Sequence, residues 1–153
     1  MSFVTEHLER RGVDYEVAEH ARALTSMEEA GALGITADEV VKTVMLATDR
    51  GPALVVVPAS RRLDLRLARE AVGDHAARLA SEDELQRSFS ECELGALPPL
   101  GSLLGAPVFV DPEVLEHDTV MFAAGTQTQS IKARSADLFR GEEVQVSPLT
   151  RPD

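Results

Sequence analysis

The alternation of apolar and polar residues along the chain predicts short helices and strands in mixed order. Apolar residues recur at helical spacing over residues 3–11 and 63–71, and each stretch is soon followed by a glycine, Gly12 or Gly73, a residue that commonly ends helices. Three other places carry a Thr or Ser with a Glu three residues later, which is the spacing of a helix-starting capping box. These pairs are Thr25 with Glu28, Thr36 with Glu39, and Ser81 with Glu84.

Strand patterns lie between these helices. Residues 41–47 and 53–58 are rich in β-branched side chains and flank the sequence Asp-Arg-Gly-Pro at 49–52, which predicts a β-hairpin. Four further strands are predicted over residues 107–110, 119–123, 129–133 and 143–146. Because helices and hairpins follow one another without a regular strand–helix–strand rhythm, we expect a mixed α/β (α+β) fold, with helices packed around a largely antiparallel or mixed sheet. The 153 residues suit one domain over 1–153.

Composition and charge narrow the classes of partner. The chain has 26 acidic and 15 basic residues and a net charge of −11, which disfavours a general DNA-binding protein because such proteins gain affinity by neutralising phosphates. The apolar runs have the length of strands, no signal-like apolar segment opens the chain, and the one cysteine, Cys92, has no partner for an internal disulfide. We therefore expect a cytoplasmic protein that does not enter the membrane.

The sequence lacks the common catalytic and metal-binding motifs. The histidines are widely separated, and no P-loop, dinucleotide-binding or nucleophile-elbow motif occurs. Cys92 lies between Glu91 and Glu93, whose negative charges raise the pKa of a thiol, so we interpret it as a structural thiol rather than a nucleophile. We therefore predict neither a metal nor another cofactor.

Lys42 is one of two lysines and interrupts the apolar run of the first hairpin strand. On an alternating strand it shares a face with Val40, Val44 and Leu46. An ammonium group on such a face is costly to bury without an anionic partner. The pattern leaves two interpretations open: Lys42 binds an anion, or its long stem carries the charge to solvent at the strand end.

Two loop segments and one arginine cluster are further candidates. Residues 95–102, Gly-Ala-Leu-Pro-Pro-Leu-Gly-Ser, combine stiff prolines with glycines whose N–H groups can approach and polarise a carbonyl, although a simple turn has the same composition. Residues 123–130 offer hydroxyl and amide side chains that suit polar recognition or a solvated loop. The arginine cluster consists of Arg61, Arg62, Arg66 and Arg69. These arginines could bind phosphates, or they could form a solvated surface without a binding role.

In this order and spacing, the segments resemble the YbaK/ProX family, which includes the editing insertion of bacterial prolyl-tRNA synthetases and its free-standing relatives. The resemblance covers nearly the whole chain, and its specificity comes from several weak motifs in shared register. It runs through VDYEVAEH at 13–20, the helix and Val-Lys-Thr stretch at 30–46, VVVP at 55–58 with RLDL at 62–65, ELGALPPLG at 93–101, VFVD at 108–111 and FAAG at 122–125.

The resemblance implies a curved, partly barrel-like sheet around a pocket in which the ester between a noncognate amino acid and tRNA is hydrolysed. It implies Lys42 and Gly101 as the catalytic residues, with Lys42 at the terminal adenosine or its phosphate and the amides of Gly95 and Gly101 at the aminoacyl carbonyl. The attacking group would come from the substrate rather than from a protein nucleophile. The remaining implied contacts are Gly95, Pro98, Pro99, Ser102, Gly125, Ser130 and Ser60 for the aminoacyl end, and Arg61, Arg62, Arg66 and Arg69 for the tRNA.

Replacing either loop glycine, Gly95 or Gly101, by alanine is expected to slow this reaction with little loss of stability. One departure from the family leaves the substrate open: the prolyl-tRNA synthetase insertion has a histidine where this chain has Gln-Ser-Ile at 129–131. Alanyl, cysteinyl and other small aminoacyl groups all fit the pattern. Two other functions stay open, a non-catalytic module that binds aminoacyl-tRNA or a synthetase and, less favoured because no helix-turn-helix is visible, a DNA-binding regulator.

Overall fold

Two β-sheets form the frame of the protein, for which the computed structural model describes residues 2–151. The strands are β1 (Tyr15–Glu19), β2 (Val41–Thr48), β3 (Gly51–Pro58), β4 (Arg78–Leu79), β5 (Val108–Val110), β6 (Thr119–Ala123), β7 (Gln129–Arg134) and β8 (Val144–Val146). The first sheet has the order β1–β7–β6, and its pairs are antiparallel. The second has the order β4–β2–β3–β5–β8, in which the β3–β5 and β5–β8 pairs are parallel.

Short helices connect the strands. They are α1 (Phe3–Arg10), α2 (Ser26–Leu33), α3 (Leu65–Val72), α4 (Glu82–Ser88), α5 (Gly101–Leu104), α6 (Pro112–Glu116) and α7 (Ser135–Phe139), with one 3-10 turn at Ala37–Glu39. Helices α2 and α3 end at Gly34 and Gly73, which adopt the left-handed conformation that glycine reaches without steric cost. Between residues 2 and 151, no helix is both long and apolar enough to cross a lipid bilayer.

The expected mixed α/β class, with pairing that is largely antiparallel, is confirmed, and the predicted hairpin is present as β2 and β3. The expected barrel character is limited. Over the described residues, an isolated parallel bridge between Val40 and Met121 joins the two sheets without closing them into a barrel. The capping box at Ser81 forms as predicted. At α2, by contrast, the Glu28 carboxylate accepts from the N–H of Leu24 rather than from that of Thr25.

Apolar periodicity does not predict β4, α5, α6 or α7. Each of them has two to five residues, which is too short for a period of 2 or 3.6 to be recognised. Helix α6 is instead defined by its start: the Asp111 side chain accepts from the N–H of Glu113, and Pro112 occupies the first turn, where its missing N–H costs nothing.

The two faces of the β2–β3 hairpin pack against different layers. Val41 and Met45 lie in the main core, whereas Leu46 packs in a separate cluster with residues of α3. Since side chains alternate along a strand, Thr43 lies on the main-core face and Lys42 on the α3 face. This alternation sets the directions in which the candidate site residues point.

Candidate functional site

An open cleft of about 230 Å³ lies along the edge of β2, beside α4 and the loop that follows it; we call it the edge cleft. Strand β4 pairs with β2 only at Leu46 and Ala47, and β6 bridges to the chain at Val40. Within residues 2–151, no strand pairs with residues 42–45 on this edge. Thr43 and Val44 both line the cleft although they point to opposite faces, which places its mouth at the strand edge itself. The lining residues are Thr43, Val44, Met45, Leu79, Ala80, Leu85, Gln86, Phe89, Cys92, Glu93, Leu94, Gly95 and Leu97.

The edge cleft is mostly apolar and holds a few polar groups. The buried Oγ1 of Thr43 has no hydrogen-bond partner in the described part of the chain. The Glu93 carboxylate accepts from the N–H of Gln127 at 2.7 Å. The N–H of Gly95 makes no hydrogen bond to any residue from 2 to 151. An apolar recess with a small number of fixed polar groups is typical of sites that bind small organic groups.

Cys92 contributes its thiol to the wall of the edge cleft. Burial raises the pKa of Cys92 to about 11, and the negative charge of Glu91 acts in the same direction. A thiol with this pKa is protonated at neutral pH and is a poor nucleophile. The prediction of a structural thiol is consistent with this environment, although burial contributes more to the shift than the flanking carboxylate does.

Gly95 and Gly101 are both held against backbone. Gly95 has a φ of 75°, and a Cβ at this position would lie 2.0 Å from the carbonyl oxygen of Leu24. A Cβ on Gly101 would lie 2.6 Å from the carbonyl oxygen of Ala106. The expectation that alanine at either position leaves stability nearly unchanged is therefore wrong, because the backbone would have to move to admit the methyl group.

Lys42 precedes the edge cleft on β2 and does not line it. Its half-buried side chain lies on the α3 face, where burial lowers the pKa of Lys42 and the charge of nearby Arg62 lowers it further. Across residues 2–151, no carboxylate forms an ion pair with either side chain. Lys42 and Arg62 therefore form a pair of like charges that an anion would stabilise; we call it the cation pair.

The other three predicted tRNA-contacting arginines already have partners in the protein. Arg61 pairs with Glu113 at 3.0 Å, Arg66 with Glu70 at 3.7 Å, and the Nε of Arg69 donates to the carbonyl of Ala77 at 2.7 Å. Arg62 is exposed and is the member of this cluster best placed to bind a phosphate. Ser60 lines a shallow groove together with Arg62, and its hydroxyl donates to Asp38.

The structure separates Gly101 and Ser102 from Gly95. Pro98 and Pro99 between them are buried. Gly101 and Ser102 then line a different groove, near α5 and the chain segment before β8. The loop over residues 95–102 therefore does not converge on one site, and only its first half belongs to the edge cleft.

The hydroxyl of Ser102 donates to Glu142 and lies 2.7 Å from Nε2 of His7. A serine hydroxyl has one proton, so His7 is the donor in the second bond. Glu142 is buried and also pairs with Arg11 at 3.0 Å. A serine nucleophile needs the reverse direction, with its proton passing to the histidine; this cluster instead ties α1 to α5.

Ser130 is fully buried and bonds to Glu29 and His20. The Oγ of Ser130 lies 2.8 Å from Nε2 of His20, whose Nδ1 lies 2.7 Å from the carbonyl oxygen of Ala21. Burial raises the pKa of Glu29, whose carboxyl group accepts from the hydroxyl of Ser130. Ser130 therefore fixes residues 20 and 21 against β7 and lies away from the lining of the edge cleft.

Gly125, another predicted contact, also supports the edge cleft indirectly. It is buried, with a φ of 84°, and its N–H donates to the carbonyl of Ala96 at 3.0 Å. A Cβ at this position would lie 2.9 Å from the ring of Phe3. Gly125 therefore anchors the loop that carries Glu93 and Gly95.

A metal site would need a group of ligating side chains. From residue 2 to residue 151, no three His, Cys, Asp or Glu side chains cluster in a way that could hold a metal ion.

Comparisons of the chain with known proteins identify its family. A model of the aminoacyl-tRNA editing domain matches residues 20–140. A protein of Enterococcus faecalis, EbsC, named as a candidate Cys-tRNA(Pro)/Cys-tRNA(Cys) deacylase, is 23% identical over 120 residues, which are 78% of this chain and 73% of that protein.

Solved structures agree over almost the full length. The crystal structure of a candidate trans-editing enzyme for prolyl-tRNA synthetase superposes with a TM-score of 0.86 at 28% identity, covering 98% of this chain and 96% of the other. A hypothetical protein shares the fold with a TM-score of 0.84 at 24% identity, covering 95% and 99% of the two chains. The match to the family over residues 20–140 confirms the resemblance to YbaK/ProX proteins, and the chain belongs to the aminoacyl-tRNA editing domain family.

Proposed function

We propose that this protein is a trans-acting aminoacyl-tRNA deacylase that hydrolyses the ester of mischarged tRNA in translation quality control. The observation that carries the proposal is the edge cleft, a small and mostly apolar recess at the edge of β2, with Lys42 of the cation pair next to Thr43 on the same strand. Membership of the editing-domain family and the likeness to a candidate trans-editing enzyme support the same reaction.

The end of an aminoacyl-tRNA has three chemically distinct parts, and the surface offers a place for each. The edge cleft takes the amino-acid side chain against Leu85, Phe89 and Cys92. The N–H of Gly95 donates to the ester carbonyl oxygen, where negative charge develops during hydrolysis. The cation pair binds the terminal nucleotide and its phosphate through charge-assisted hydrogen bonds.

The proposed reaction is the addition of water to the ester carbonyl carbon. The bond between that carbon and the ribose oxygen then breaks, and the ribose oxygen takes up a proton, which releases a free amino acid and tRNA. Cys92 is protonated at neutral pH and supplies no nucleophile. We therefore assign activation of the water to the neighbouring ribose hydroxyl of the substrate, assisted by the fixed dipoles of the cleft, and propose that the protein works without a metal.

The lining of the edge cleft indicates the kind of side chain that it would bind. A mostly apolar recess of about 230 Å³ suits a small, uncharged side chain such as that of an alanyl or cysteinyl group. We propose small aminoacyl groups as the substrate class. In solution the protein would meet its tRNA alone or docked on a synthetase.

The second candidate function is a module that binds aminoacyl-tRNA without turnover. The observation that favours it is that Cys92, the thiol in the lining of the edge cleft, is protonated at neutral pH and so is not an activated nucleophile. Such a module would shield the ester from water and slow its spontaneous hydrolysis. Catalysis and shielding therefore predict opposite changes in the same rate.

The proposal is tested by a deacylation screen. Purified protein is incubated with a panel of tRNAs mischarged with labelled small and large amino acids, with and without a chelator, and release of the label is followed. We expect faster release from one or more tRNAs that carry a small amino acid, with equal rates in the chelator. Spontaneous rates across the whole panel would contradict the proposed function, and activity that requires zinc after chelation would contradict its metal independence.

A further inference from the structure

Glu93 is the only charged side chain among the residues that line the edge cleft. The other lining residues are apolar, carry an amide or a hydroxyl, or, in the case of Cys92, have a thiol whose pKa is raised to about 11. A lone carboxylate at the mouth of an apolar recess creates a local negative potential that favours a cationic group. This potential distinguishes the edge cleft from a purely apolar pocket.

Glu93 is held by one hydrogen bond to its carboxylate and by two hydrogen bonds of its backbone. Its Oε1 accepts from the N–H of Gln127 at 2.7 Å, and its backbone N–H donates to the carbonyl of Gly125 at 2.9 Å. Its backbone carbonyl accepts from the N–H of Ala96 at 3.1 Å. Among residues 2–151, no cation pairs with Glu93 and its second oxygen, Oε2, has no donor. A carboxylate held in this way offers one free oxygen to a ligand without having to reorganise.

We propose that Glu93 binds the α-ammonium group of the aminoacyl ester and so restricts the enzyme to substrates whose amino group is free. The inference rests on the proposed function, because it needs the aminoacyl end to enter the edge cleft. In an aminoacyl ester the α-nitrogen is attached to the carbon next to the carbonyl. Glu93 and Gly95 are two residues apart in the same fixed loop, so they suit the ammonium and the carbonyl oxygen of one substrate.

The chemical consequence is a filter against blocked amino groups. An N-acylated aminoacyl ester or a peptidyl ester has no positive charge at this nitrogen, so its amide N–H offers the carboxylate a single hydrogen bond without the attraction between opposite charges. That attraction is stronger beside an apolar recess than in open water. Peptidyl-tRNA and N-acylated initiator tRNA would therefore be spared, although they carry the same kind of ester.

The test compares one mischarged tRNA with the same tRNA after its amino group has been acetylated. The substrate is the tRNA that the deacylation screen identifies, and kcat/KM is measured for the wild type, Glu93→Gln and Glu91→Gln. Glutamine at position 93 keeps an oxygen that can accept from the N–H of Gln127 and loses only the charge. Glu91 is the matched control because it is a neighbouring exposed carboxylate that does not line the edge cleft.

We expect the wild type and Glu91→Gln to prefer the free amino group by about 10- to 100-fold in kcat/KM, as for a charge-assisted hydrogen bond. Glu93→Gln should lose most of this preference by becoming slower on the free substrate alone. Equal wild-type rates on both substrates would overturn this inference and leave the proposed function standing. A screen in which the wild type hydrolyses none of the mischarged tRNAs would overturn the proposed function together with the inference, and an unchanged preference in folded Glu93→Gln would assign selection to another group.

Discussion

The cation pair makes a specific prediction for Lys42. In Lys42→Met the aliphatic stem is kept and the charge is removed, whereas Lys42→Arg keeps a charge with a different shape. Lys42 is half-buried, its pKa is lowered by burial and by Arg62, and no carboxylate of the described chain neutralises it. The charge is thus unfavourable in the free protein and becomes favourable only when an anionic group binds.

The expected magnitude follows from this environment. A hydrogen bond to a charged group contributes about 1.5–3 kcal/mol, and each 1.36 kcal/mol changes a rate tenfold. Lys42→Met should therefore lower kcat/KM by about 10- to 100-fold. Its free energy of unfolding should stay the same or rise, because the variant no longer desolvates an unpaired ammonium group. Lys42→Arg should recover part of the activity, since a planar guanidinium replaces a compact ammonium poorly in a confined site.

The other lysine of the chain supplies a matched control. Lys132 lies exposed on β7, and Lys132→Met removes the same charge from a strand position outside the edge cleft and the cation pair. Deacylation rates and urea denaturation are measured for all four proteins. Near-normal kcat/KM in folded Lys42→Met, or an equal loss in Lys132→Met, would refute the role of Lys42 and leave net charge as the explanation.

Three further predictions follow from the same contacts. Arg62→Gln should reduce the slope of log KM against log salt by about 0.7–0.9, the value for one lost phosphate contact, whereas Arg66→Gln should leave the slope unchanged because Arg66 pairs with Glu70. Burial holds the pKa of Glu29 above its usual value of 4.5, so its contribution to stability is present at low pH and is lost as pH rises through that raised pKa. In urea titrations Glu29→Gln should therefore gain stability relative to the wild type as pH rises above 4.5, and a difference that stays constant with pH would contradict the raised pKa. Cys92→Ser should keep kcat within about threefold of the wild type, because the protonated thiol takes no part in bond making. The opposite result, a covalent intermediate that forms in the wild type and is lost together with activity in Cys92→Ser, would identify Cys92 as a nucleophile.

Local signals predict much of the fold because they do not depend on distant residues. The β2–β3 hairpin follows from two β-rich runs around a turn, and α4 follows from a capping box whose partners are three residues apart. Elements such as α5 and β4 are defined by tertiary packing over four residues or fewer. They carry no periodic signal of their own, so sequence reasoning misses them.

The site is harder to predict because its contacts cross the chain. Ser130 lies 101 positions from Glu29, so its polar loop composition gives no sign that its hydroxyl is buried in a hydrogen-bond chain. The sequence of residues 95–102 predicts a single loop. In the structure Pro98 and Pro99 are buried, and Gly101 lies in a different groove from Gly95. In the sequence, Glu93 is marked only by its place next to the glycine-containing loop. That it is the one charged side chain of the edge cleft becomes visible only when the lining residues are brought together by the fold.

The most direct test of the central proposal is single-turnover hydrolysis with the protein in excess over a labelled, mischarged tRNA. Under these conditions every tRNA is bound, and the decay of the ester reports chemistry alone. A deacylase predicts decay at least tenfold faster than the spontaneous rate, with amino acid and intact tRNA as the products. Saturable binding of the tRNA with ester decay at or below the spontaneous rate would contradict catalysis and identify the protein as a module that binds and shields aminoacyl-tRNA.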